Sequence, residues 1–149
     1  MRLKAVTLIE LIVAIAIMAI LLVAAVPMIA QSNKNDGVKR EAQRLVTFIQ
    51  RAKTFAQNPE SSDAISYQVV KNGADSFTIK RCVATGNCNF TVEELRLNNV
   101  ITQGWSDLKY AVYDGKYSGN STTTINLARD NARIVISMDS GQPNIISSD

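Results

Sequence analysis

Between Leu11 and Ala30 the chain carries no charged or polar side chain. About twenty apolar residues rising 1.5 Å each match a hydrocarbon layer roughly 30 Å thick, so the run predicts a membrane-crossing helix. A helix buried in a soluble domain is the competing account. Such helices usually keep a polar face, and this run is apolar all round. Glu10 stands at its head, in the stretch Thr7–Pro27. An ionised carboxylate in lipid costs several kcal/mol unless it meets a cation or lies near the headgroups, so its placement is informative.

Lys4-Ala5-Val6-Thr7-Leu8-Ile9-Glu10, followed by the apolar run, resembles the amino-terminal signal of type IV prepilins and type II secretion pseudopilins. In that family a short basic leader is removed by prepilin peptidase and the new amino terminus is N-methylated. The resemblance implies cleavage between Ala5 and Val6, with Thr7, Leu8, Ile9 and Glu10 in the family's order. It also implies that Pro27 falls where the long first helix kinks. Ala5 stands where the family nearly always has Gly, and Val6 where Phe or Met is common. By the same resemblance, Glu10 would face the amino terminus at Val6 of an adjacent subunit in a filament. Low local dielectric strengthens such a pair, while desolvation offsets much of the gain, so registry rather than stability is the expected benefit.

An ordinary secretory signal is the alternative for this end, because Arg2 and Lys4, an apolar core and Ala24-Ala25 would also suit signal peptidase. The length of the apolar run and Glu10 stand against it. Basic residues flank both sides of the run, Lys34, Lys39 and Arg40 following it, so charge alone does not orient it. By resemblance Met1–Ala5 is cytoplasmic and the carboxyl-terminal part lies outside the cytoplasm, in the inner membrane first and then in a pilus or pseudopilus.

The 149 residues divide by pattern into a leader at 1–5, a membrane and filament-core helix at 6–30, an amphipathic continuation at 31–58 and a β-rich region at 59–149. Of the 16 basic and 13 acidic residues, Arg2 and Lys4 fall in the leader, which leaves a mature chain of net charge +1 and no general nucleic-acid footprint. Gln31–Gly37 is polar and ends in glycine, so the helix is expected to loosen or bend there. It should resume from about Gly37 to Gln57. Val38, Ala42, Leu45, Phe48, Ile49, Ala52, Phe55 and Ala56 recur at helical spacing, opposite Lys39, Arg40, Glu41, Arg44, Arg51 and Lys53. Asn58-Pro59 ends it.

Beyond Pro59 the spacing changes to short alternating runs. Strands are expected at 65–71, 76–82, 89–97, 109–113, 122–128, 132–138 and 144–147, with 92–97 equally readable as a helical turn. Asn72-Gly73, Thr85-Gly86-Asn87, Asp114-Gly115, Asp130-Asn131 and Ser140-Gly141 supply turns. The whole reads as α+β: a long amino-terminal membrane-spanning helix continuing into an amphipathic helix packed on an antiparallel β-sheet domain, as in pilins. Gln50-Arg51-Ala52-Lys53, and Ile134–Met138 before a glycine turn, are similar to minor pilins and H-type pseudopilins.

Cys82 and Cys88 flank a five-residue tip, and an exported domain meets oxidising conditions, so a disulfide is expected. The chain has no histidine and no phosphate-cradling glycine loop, so neither catalysis nor a metal or other cofactor is expected. Asp114–Asn120 lacks the spacing of a calcium loop. Trp105, Tyr110, Tyr113 and Tyr117 near Lys109 and Lys116 would suit stacking on single-stranded nucleic acid, and suit a sheet core better. The resulting expectation is a structural subunit of a type IV pilus or of a type II secretion or competence pseudopilus. Its implied partners are other pilin subunits, prepilin peptidase, the inner-membrane assembly machinery and membrane lipid. The alternative is a membrane-anchored binding module for DNA or a surface ligand, its helix a mere anchor.

Overall fold

The computed structural model describes the backbone of residues 8–119, 122–129 and 132–147, with side chains over the same ranges except 23–35, 122–123 and 147. The chain divides into two units, Met1–Asn35 and Asp36–Asp149. One helix, α1 (Leu8–Gln57), contributes residues to both.

The backbone of α1 is helical across Gln31–Gly37, where loosening or a bend was expected. A lone glycine inside a helix costs only about 1 kcal/mol. A Cβ on Gly37 would sit 3.2 Å from a guanidinium nitrogen of Arg129, the movable end of a flexible side chain. The helix ends where Pro59 cannot continue it, with the Asn58 N–H reaching the Thr54 carbonyl at 2.9 Å.

In the second unit, Val38, Ala42, Leu45, Phe48, Ile49, Ala52 and Ala56 are buried along one face of α1. Two antiparallel sheets complete the core. The first has the order β3-β2-β1-β5-β6, from β1 (Ala64–Lys71), β2 (Ser76–Val83), β3 (Phe90–Arg96), β5 (Leu108–Ala111) and β6 (Tyr117–Ser118). The second has the order β4-β7-β8-β9, from β4 (Ile101–Gln103), β7 (Thr122–Arg129), β8 (Ala132–Asp139) and β9 (Gln142–Ser147). Residues 92–96 are strand, not a helical turn, because Glu93, Glu94 and Leu95 pair with Ile79, Thr78 and Phe77.

The α1 stripe forms a single apolar cluster with Tyr67, Val69, Phe77 and Ile79 from the first sheet and Ile125, Leu127, Ile136 and Met138 from the second. Burying each large side chain there stabilises the fold by roughly 1.5–3 kcal/mol relative to exposure. Phe55 stacks on Tyr67 with ring centroids 5.9 Å apart, and Phe77 meets Trp105 at 4.7 Å. Glu41, which its charge places on the solvent face, is instead buried. Its carboxylate accepts from Arg44 at 2.7 Å and from the Asn98 N–H at 3.2 Å, so the buried charge is paired.

Candidate assembly interface

The first unit has no core of its own among its described residues. Leu8, Ile9, Leu11, Ile12, Val13, Ile15, Ile17, Met18, Ile20, Leu21 and Leu22 are each at least 50% exposed. They point to every side of α1, because an uninterrupted apolar run places residues all round a helix of 3.6 residues per turn. Water does not tolerate such a surface over this length, so lipid or neighbouring protein must cover it. Among the described residues no helix is long and apolar enough to cross a membrane. Described side chains of the apolar run extend only to Leu22, whereas the run itself reaches Ala30.

Glu10 is the acidic residue of the first turn of α1. Ile9 and Leu11 lie about 100° to either side of it around the helix, so exposed apolar surface flanks the carboxylate. Ala5, Val6 and Thr7, assigned to processing and assembly, lie outside the described residues. Pro27 lies within α1, and its side chain is likewise outside them. Glu10, Leu8 and Ile9 are thus the expected assembly residues that the structure places, and it places them together on one exposed turn.

In the second unit, a disulfide joins Cys82 to Cys88 and closes the β2–β3 hairpin. Arg81, opposite Phe90 across this hairpin, lies 4.7 Å over the Phe90 ring and also pairs with Asp63 at 3.2 Å. The Ser61 hydroxyl, and after it Arg81, hold the Asp63 carboxyl below its ordinary range.

The aromatic residues near Lys109 and Lys116 do not form a stacking platform. Tyr110 is buried, Tyr117 packs against it with ring centroids 5.7 Å apart, and Trp105 is engaged with Phe77. Tyr113 alone of the four is presented to solvent, 74% exposed. Among the described residues no group of three or more His, Cys, Asp or Glu side chains could hold a metal ion.

Sequence reasoning missed a feature that needs β3 to exist. An open slot of about 470 Å³ runs between the Arg40–Arg51 stretch of α1 and the edge strand β3. The helical spacing of Arg40, Arg44 and Arg51 was visible in the sequence, but the wall of Glu93 and Leu95 facing them was not.

Residues 1–26 match the family model of the prokaryotic N-terminal methylation motif. No curated protein sequence matches the chain. Among solved structures the fold is similar to the type IV minor pilin FimU of Pseudomonas aeruginosa strain PAO1, with a TM-score of 0.58 and 15% identity over 76% of this chain and 90% of that one. The chain therefore has a pilin-like α+β fold, and its residues 1–26 carry a methylation motif.

Proposed function

We propose that the chain is a structural subunit of a type IV pilus or a related secretion or competence pseudopilus. It is held in the inner membrane by residues 6–30, cut between Ala5 and Val6, methylated on the new terminus and packed through α1 into a filament core. The observation that carries this reading is the all-round exposed apolar surface from Leu8 to Leu22, with one carboxylate, Glu10, in its first turn. A plain lipid anchor has no use for that carboxylate. A subunit whose neighbour presents a cationic amino terminus does, because mispairing leaves Glu10 uncompensated in a low dielectric. Lipid already solvates apolar helices, so assembly draws on side-chain packing and this pair rather than on a hydrophobic drive.

The pilin-like fold supports a place among the subunits of such a filament. The prepilin peptidase and the inner-membrane assembly machinery would be its processing and export partners.

The test is the intact mass and amino-terminal sequence of the protein from its own membrane, with and without active prepilin peptidase. The expected result is a start at Val6 carrying one extra methyl group, lost when the peptidase is absent. A start beyond Ala25, or an unprocessed Met1 in both strains, would overturn the reading.

A further inference from the structure

The slot on α1 has an apolar floor and a cationic rim. Phe48 and Leu95 form the floor, and Arg40, Arg44 and Arg51 stand along the helix side. Arg51 pairs with Glu93, the one carboxylate among the lining residues. Arg44 is fixed by Glu41 at 2.7 Å and reaches the Arg96 carbonyl at 3.3 Å. Arg40 donates from Nε to the Asp36 carbonyl at 3.3 Å, so its charge remains at the rim. Even with Glu41 included, guanidinium groups outnumber carboxylates. Such a site suits an aromatic ring carried beside a carboxylate: the ring lies on the floor and under the guanidinium planes, and the acid meets the rim.

The same chain presents a side chain of that kind. Tyr113 is 74% exposed and has φ of 71°, in the left-handed region where bulky residues are rare. The turn holds it there. Its N–H binds the Ala56 carbonyl at 2.8 Å, Val112 binds the Ile65 carbonyl at 3.0 Å, and Gly115 binds the Ala111 carbonyl at 3.1 Å. Asp114 follows directly, its carboxylate accepting from the Lys116 N–H at 2.8 Å. Strained backbone of this sort persists only where its surroundings impose it, and here it projects a ring into solvent.

Tyr113 is tied to the end of α1 at Ala56, whereas the slot is centred near Thr47, about 14 Å away along the helix axis at 1.5 Å per residue. The ring therefore does not reach the slot of its own chain. We propose that Tyr113 of one copy docks into the Arg40–Arg51 slot of a second copy, with Asp114 against the rim guanidiniums. Because knob and slot are different surfaces, the contact is heterologous and repeats from copy to copy instead of closing a dimer. This inference rests on the filament reading and adds to it a contact between the outer units.

The test uses the full chain in its own membrane and filaments, with the photoreactive aromatic p-benzoylphenylalanine in place of Tyr113. Illumination should give a dimer of this chain whose joined peptide maps to Arg40–Arg51 or to Glu93–Leu95. Arg40→Glu should abolish the dimer, and adding Asp114→Lys should restore it, which a merely misfolded variant would not show. Absence of the dimer, a joined peptide elsewhere, or cross-linking to a different protein would overturn the proposal. A Val6 start and incorporation into filaments, measured on the same samples, report separately on the filament reading. Should incorporation fail, the dimer is sought in the unassembled membrane fraction, where its absence equally overturns the contact.

Discussion

The Tyr110 hydroxyl donates a hydrogen bond to the Gly141 carbonyl at 3.1 Å, in a buried position that ties the first sheet to the β8–β9 turn of the second. Burial, and secondarily the neighbouring Tyr117, push the Tyr110 phenol far above its ordinary value near 10. The neutral phenol is thus favoured by folding. Its contribution is complete below the unfolded value and is lost as pH rises towards the folded one. Denaturation of the detergent-solubilised protein should give flat stability up to pH about 10 and a decline above it. Tyr110→Phe should remove about 1–2 kcal/mol at neutral pH and flatten part of that alkaline decline, because it orphans the carbonyl but cannot ionise.

Gly37→Ala should stabilise the protein by up to about 1 kcal/mol. The added Cβ would meet only the end of the Arg129 side chain, at 3.2 Å, and a guanidinium can swing aside. Thermal unfolding followed by circular dichroism reads the change. A loss of stability would mean that the close approach of Arg129 matters more than helix propensity.

Replacing Cys82 and Cys88 together by serine should cost about 2 kcal/mol, the chain-entropy value for so short a loop. Cys82 is buried but packs outside the main core cluster, so the fold should remain. Urea titration of oxidised and reduced wild type should show the same difference, and the double variant should no longer respond to reductant.

Glu10→Leu should leave the unfolding of the Asp36–Asp149 unit unchanged while sharply reducing filament incorporation. Glu10 lies in the other unit, and its substitution by leucine makes the helix more apolar, which membrane residence tolerates. Sheared filaments and membranes, probed for the chain, separate the two effects. Incorporation at wild-type level would reduce α1 to an anchor.

The apolar head of α1 and the stripe from Val38 to Ala56 were legible because both are patterns along one element, fixed by composition and by a period of 3.6. Strand alternation located β1, β2, β7 and β8 to within a residue or two. It did not find β4 or β6, whose three and two residues are shorter than any window in which alternation can register. Nor did it divide the strands between two sheets. That division depends on pairings such as Ser66 with Ala111, distant in sequence and without a local signature. At Gly37 the backbone stays helical because a single glycine costs only about 1 kcal/mol, too little to end so long a helix. Glu41 was misjudged because its burial is made possible by the N–H of Asn98, 57 residues away in sequence and just after β3. Glu10 was legible as a candidate for the opposite reason: a lone charge in an apolar run needs no tertiary context to stand out.

The buried face of the outer unit and the exposed apolar head belong to one helix, and that has a mechanical consequence. Within the second unit, a load carried by the α1 backbone acts along the axis on which the row from Val38 to Ala56 is spaced. Pulled lengthwise, those packed side chains must slide together instead of peeling away one after another. Under such a load the second unit is held along the whole buried row of its helix rather than at a single point.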